Sequence, residues 1–359
     1  DDLALMDGYH SPQVRVDVRL NTNEAPEGPP PAFTDAVAAA VRAIDWHRYP
    51  DRSAAVLRRR IAEVEGASAG VEFGAANVLA ANGSNEVLQT VLLAYGGPGR
   101  SAAVFEPTYA LHSHIARLTG TEVVGVDRSE SFELQVDRAS DLIRSAAPAV
   151  TFLCSPNNPT GIVESAQTVT AILDAVESVD GLLVVDEAYG QFANWSACSL
   201  VSEDRNLVVT RTYSKTWSAA ALRLGYLIGP TWVVSALDEV VLPYHLDAFT
   251  QAAGLVALDF HDQMRDRVRR LTGERHRVVE ALHRLGVEQW PSGANFVLFR
   301  PGAADAAAAD AIWQGLVDRS VLVRNCASWP RLDGCLRVTI GTPEENDRFL
   351  AALADVLHA

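Results

Sequence analysis

Along the first two thirds of the chain, short uninterrupted apolar runs alternate with longer stretches of helical periodicity. The clearest runs are Ala102–Phe105, Val150–Cys154, Leu182–Val185 and Leu207–Val209. They lack polar alternation, which predicts strands covered on both faces, as in a parallel sheet. Helix-length stretches such as Tyr109–Leu118 and Ser165–Val179 lie between them, so the pattern predicts repeated βα units wound on both sides of one sheet. After about residue 230 the pattern changes to long charged helices, notably Asp262–Leu285, followed by the apparent strands Asn295–Arg300, Val321–Arg324 and Leu336–Ile340. The predicted fold class is α/β: an arm over 1–30, a large domain with a mostly parallel doubly wound sheet over 31–244, and a smaller α+β domain over 245–359. A cleft between the domains is the expected ligand site.

Composition narrows the range of partners. The 359 residues carry 45 acidic and 30 basic side chains, a net charge of −15. That balance disfavours nucleic acid and anionic membrane as partners. The first residues, DDLALMDGYHSPQ, have neither the basic nor the apolar segment of a secretory leader, and no run approaches the length of a membrane span. Cys154, Cys198, Cys326 and Cys335 show no metal or disulfide spacing, so reduced thiols and a cytoplasmic location are expected, with no metal site.

One count is sharper. Of the 30 basic residues 29 are Arg, and Lys215 is the single Lys. Arg supplies charge and a better fork for anions, but a guanidinium cannot be deprotonated to a nucleophilic amine. A covalent amine is the job that this exception fits. Its neighbourhood supports that job, because each strong strand runs straight into a polar loop: FEPTY at 105–109, CSPNNPTG at 154–161, VDEAY at 185–189 and TRTYSK at 210–215. Loops at the carboxyl ends of parallel strands line the crevice where such sheets bind ligands.

These residue types match the needs of pyridoxal phosphate. Lys215 offers the amine for the aldehyde, and Asp186 a buried carboxylate for the ring nitrogen. Asn158 and Tyr189 can donate to the ring hydroxyl, while Tyr109 offers a flat partner for the ring. The phosphate needs a helix N-terminus, hydroxyls and an Arg. NGSNE at 82–86, with Thr212, Ser214 and Arg223, supplies them.

SPNNPTG, VVDEAY, TRTYSKTWSAAALRLGY and CLRVTIGTPEEN resemble the fold-type I aminotransferases, and within them the histidinol-phosphate aminotransferase family. The resemblance runs from LNTNEAP at 20–26 and HRYP at 47–50 to the C-terminal GCLRVTIGT. It implies Lys215 as the Schiff-base lysine, Asp186 on the pyridine nitrogen, Asn158 with Tyr189 on the ring oxygen, and Tyr109 over the ring. It places Ser84, Asn85, Thr212, Ser214 and Arg223 on the phosphate. It further implies a homodimer with shared sites, in which Tyr49 touches the neighbouring cofactor's phosphate. Arg337 matches the Arg that binds the substrate's anionic group, and Arg324 and Tyr9 match positions that help hold a substrate phosphate. The implied reaction moves the amino group of histidinol phosphate to 2-oxoglutarate.

Two departures touch the expected substrate pocket. His112 stands where the family more often has an aromatic, and the stretch after Lys215 has Ala221 where a Gly commonly precedes Leu-Arg. His112 is therefore expected to alter the pocket. His112 and His114, two apart on a helix, diverge and make no metal pair. Other substrates and reactions on the same scaffold are an aromatic amino acid aminotransferase and a phosphothreonine decarboxylase.

Overall fold

The computed structural model describes residues 14–358. Its strands are β1 (Val18–Leu20), β2 (Val78–Ala81), β3 (Ser101–Val104), β4 (Glu122–Gly125), β5 (Val150–Cys154), β6 (Leu182–Asp186), β7 (Leu207–Thr212), β8 (Gly225–Ile228), β9 (Glu288–Gln289), β10 (Phe296–Arg300), β11 (Val321–Asn325) and β12 (Leu336–Thr339). Its α-helices are α1 (Pro31–Arg42), α2 (Ala55–Ala69), α3 (Ser84–Tyr95), α4 (Leu111–Leu118), α5 (Val136–Ala146), α6 (Ala166–Glu177), α7 (Thr231–Asp238), α8 (Ala248–Asp259), α9 (His261–Arg284), α10 (Ala306–Asp318) and α11 (Pro343–Leu357).

Seven strands form the large sheet in the order β4-β3-β5-β6-β7-β8-β2. All neighbours are parallel except at β8, which runs antiparallel to both β7 and β2. Two-sided burial explains the apolar runs. Leu183, Val185, Leu207 and Val209 pack on one face with residues of α2, α6 and α8, while Leu182, Val184 and Val208 pack on the other with residues of α3, α4 and α7. Helix boundaries follow local chemistry. Ser165 caps α6 by accepting from the Thr168 N–H, and Thr342 with Glu345 forms a capping box on α11, each cap contributing about 1 kcal/mol.

The second sheet has the order β1-β11-β12-β10-β9. It is antiparallel except for β1, which runs parallel to β11. Packing departs from the expected boundaries at two points. The arm supplies β1, whose Val18 and Leu20 belong to the apolar cluster of the smaller unit. Conversely, Leu246, Ala257 and Leu258, expected in the C-terminal unit, join the cluster of the large sheet. Gly254 explains how closely α8 seats there, since a Cβ would lie 2.5 Å from a Leu224 methyl. The long α9 is shared: Met264 packs in the first cluster and Leu271, Val278 and Leu282 in the second. Among the described residues no helix is long and apolar enough to cross a membrane.

Candidate active site

A cavity of about 680 Å³ opens where the carboxyl ends of β5, β6 and β7 meet the smaller unit. It is lined by twelve of the residues singled out above: Ser84, Asn85, Tyr109, Asn158, Asp186, Tyr189, Thr212, Ser214, Lys215, Arg223, Arg324 and Arg337. Tyr49 lies elsewhere, 80% exposed and stacked on Tyr244 with ring centroids 4.5 Å apart. Tyr9 falls outside the described residues.

Lys215 follows β7. Its Nζ donates to the Thr22 carbonyl at 3.1 Å and lies 5.8 Å from the centre of the Tyr189 ring. Burial lowers this amine from its ordinary 10.5 to about 8, helped by Arg337 and Arg223 and opposed by Glu24. An amine in that range is partly neutral near physiological pH, which a nucleophile and proton carrier requires. Tyr189 moves the other way. Burial pushes its phenol up to about 12, so it keeps its proton.

Asp186 ends β6 and is 1% exposed. One carboxylate oxygen accepts from the Ala188 N–H at 3.1 Å and the Thr210 hydroxyl at 3.3 Å; the other lies 2.9 Å from His112 Nε2. A carboxylate held on both oxygens is fixed in orientation, as a partner for a ring cation must be. Below the strand ends Arg211 binds Glu65 and Glu187, fastening β7 to α2 and to the loop after Asp186.

His112 corrects the sequence reading. It does not line the cavity; it is fully buried on α4, bonded to Asp186 and stacked on Phe152 at 4.8 Å. Its place three residues after Tyr109 puts it one helical turn behind that ring, and that spacing was the available signal. His114 instead faces the cavity, together with Arg117, Trp329 and the arm residues Thr22, Asn23 and Glu24. The sequence reading gives none of these six a role. We expect His112→Phe to lower kcat/KM about ten-fold or more, the effect of one lost hydrogen bond to a charged group. Steady-state kinetics beside a thermal melt checks this, and unchanged kinetics would contradict the positioning role.

Part of the cavity wall is a cradle suited to an anion. Ser214 Oγ accepts from Thr212 Oγ1 at 2.9 Å and from Arg223 Nη1 at 3.4 Å. Arg223 holds a left-handed φ of 53°, a conformation costing about 1–3 kcal/mol that persists only where its surroundings fix it. Gly83 precedes α3 and Gly225 begins β8. A Cβ on Gly225 would stand 2.2 Å from the Ser84 backbone nitrogen, and one on Gly83 2.9 Å from Arg223 Nη2. Only glycines allow the helix N-terminus, the guanidinium and the hairpin to approach this closely.

The cavity wall carries two more cations. Arg324 on β11 and Arg337 on β12 stand directly opposite each other in register, 7% and 5% exposed. Arg337 donates to Asn158 Oδ1 and to the Asn21 carbonyl, and it has no carboxylate partner among the described residues. Because Arg337 takes the Asn158 oxygen, the Asn158 amide nitrogen is left to donate elsewhere. A buried guanidinium such as Arg337, with no carboxylate beside it, suits the anionic group of a ligand. Tyr109 is held by its hydroxyl, which donates to Asn85 Oδ1 at 3.2 Å.

The family model described as aminotransferase class I and II matches residues 15–353. The histidinol-phosphate aminotransferase of Mycolicibacterium smegmatis is 45% identical over 360 residues, covering 99% of this chain and 92% of that protein. That of Frankia casuarinae is 45% identical over 363 residues, covering 99% and 89%. Among solved structures, histidinol-phosphate aminotransferase from Sinorhizobium meliloti in complex with pyridoxal-5'-phosphate has a TM-score of 0.85 at 24% identity, covering 96% of this chain and 91% of that one. Aspartate aminotransferase from Thermus thermophilus with maleate has a TM-score of 0.81 at 24% identity, covering 96% and 92%. At that identity the two structures bear on the fold alone.

Proposed function

Because the chain belongs to the class I and II aminotransferase family, we propose that it transfers the amino group of histidinol phosphate to 2-oxoglutarate, using pyridoxal phosphate. The products are imidazole acetol phosphate and glutamate, a step of histidine biosynthesis. The observation that carries the substrate is the buried Arg324–Arg337 pair on the wall of the cavity that holds Lys215. The 45% identity to histidinol-phosphate aminotransferases over 99% of the chain supports the same reading.

The residues present fit the cofactor. The glycine-cleared cradle of Ser84, Ser214 and Arg223 suits a phosphate, Asp186 suits a ring nitrogen, and Lys215 is an amine lowered to about 8. When bound, pyridoxal phosphate supplies an electron sink for a bond broken at the substrate's α-carbon. Lys215 Nζ would hold the cofactor and would carry the proton to and from that carbon. Asp186 would set its buried carboxylate against a cationic ring nitrogen, and His112 holds Asp186 in place. Asn158 and Tyr189 would donate to the ring oxygen, and Tyr109 would cover the ring. Arg337 and Arg324 hold the substrate's anionic end, which fixes the bond at the α-carbon that reacts.

A homodimer is the finer part of the proposal. Trp46, Tyr49, Leu242 and Tyr244 are exposed apolar or aromatic side chains, and a second copy covering them would bring Tyr49 to its neighbour's cradle. The four cysteines are buried and free, which supports a cytoplasmic enzyme.

Arg324→Ala is the experiment for the substrate assignment. We expect kcat/KM for histidinol phosphate to fall about ten-fold to a hundred-fold, the effect of one charge-assisted hydrogen bond. Phenylalanine should lose much less. Equal losses on both donors would remove the phosphate-specific role.

A further inference from the structure

Asn23 sits in the arm beside Lys215's acceptor Thr22, 1% exposed and in a left-handed conformation with φ of 55°. Its hydrogen bonds run in one direction. The backbone N–H of Asn23 donates to Thr339 Oγ1 at 3.0 Å. The Thr339 hydroxyl then donates to Asn23 Oδ1 at 3.0 Å, and Asn23 Nδ2 donates to the Tyr189 hydroxyl oxygen at 2.9 Å. A backbone N–H can only donate, so the chain begins at a fixed end. Each later group uses its acceptor toward the preceding member and its donor toward the following one.

The last member is Tyr189. Its oxygen is occupied by the Asn23 amide, which leaves its proton to be given away from the arm, and Tyr189 lines the cavity. The phenol keeps that proton, since burial pushes it up to about 12. We propose that Asn23 and Thr339 are positioning residues that orient the Tyr189 hydroxyl as a donor into the cavity, toward the ring oxygen of the cofactor. This deepens the proposed function and rests on its cofactor reading. The relay also joins three parts of the chain, since Thr339 lies on β12 two residues from Arg337, Asn23 in the arm, and Tyr189 after β6. The Asn23 carbonyl in turn accepts from Asn295 at 3.2 Å.

The test is a pH titration of the visible band of the enzyme loaded with pyridoxal phosphate. An oxygen that loses a donor holds a proton more tightly, so Thr339→Val and Asn23→Leu should each raise the titration midpoint by up to about one pH unit. Thr339→Ser, which keeps the hydroxyl, should titrate as the wild type does. In a Tyr189→Phe background neither Thr339→Val nor Asn23→Leu should shift the midpoint further, a result that mere loosening of the arm would not give. Unchanged midpoints in both variants, or equal shifts with and without the Tyr189 hydroxyl, would overturn the relay while leaving the cofactor reading intact. A wild type that shows no titrating visible band on loading would overturn both.

Discussion

Lys215→Arg is expected to lower turnover by roughly four orders of magnitude or more, and to abolish the visible band that the wild type acquires with pyridoxal phosphate. The substitution keeps a positive charge at the same place, so a purely electrostatic role would survive it. A covalent and proton-carrying role would not, because a guanidinium stays protonated at any working pH. The wild-type site prepares the opposite state: burial, with Arg337 and Arg223 close by, brings the amine to about 8. The neutral form is therefore gained as pH rises through about 8. Capture of the cofactor by apoprotein should accelerate across that range and level off above it, instead of climbing toward 10.5. Stopped-flow mixing at a series of pH values checks the profile, and normal turnover in Lys215→Arg would remove the covalent role altogether.

Asp186→Asn is expected to lower kcat by about a thousand-fold, in line with the 3–5 kcal/mol effect of breaking a buried charge pair. The amide has nearly the same shape, so β6 and its register with β5 and β7 are preserved. What is lost is the negative charge, and with it the support for a proton on the ring nitrogen. The hydrogen bonds of the site make the change more costly. Asp186 accepts from Ala188, Thr210 and His112, and an amide can accept on one side only, so His112 or Thr210 must reverse its bond or lose it. Pre-steady-state kinetics with melting curves separates this from unfolding. A variant within ten-fold of wild type would show that Asp186 is only a strand-end structural residue.

The parts of this site that sequence reveals are those whose chemistry is local. Lys215 stands out because no other Lys exists, and Asp186 because an acid directly following Leu182–Val185 must lie at the end of a buried strand. The strands β5 and β6 are legible for the same reason, being apolar on both faces. The short β2 is not, since Val78–Ala81 pairs only with β8, about 150 residues further on, and Gly225–Ile228 carries a Gly and a Tyr that interrupt the apolar run. The place of α8 was equally hidden. Its packing against the large sheet's cluster depends on a glycine contact with Leu224 and not on a change in charge pattern.

His112, whose role the sequence misplaces, and Asn23, which it leaves without one, have partners remote in sequence. His112 reaches Asp186 across 74 residues, and Asn23 reaches Tyr189 across 166 and Thr339 across 316. Nothing in the sequence around either residue names its partners. Arg324 and Arg337 fall between these cases. Family resemblance singles them out, but only the pairing of β11 with β12 places them directly opposite each other.

The most direct test of the proposed function is the single-turnover half-reaction. Cofactor-loaded enzyme is mixed with histidinol phosphate and, separately, with phenylalanine, while loss of the visible band is followed. The account predicts faster conversion by histidinol phosphate at low concentration, with Arg324 and Arg337 holding its phosphate. Conversion by phenylalanine alone would contradict the substrate assignment. Conversion by neither, with carbon dioxide released from phosphothreonine in the absence of any keto acid, would contradict the reaction itself.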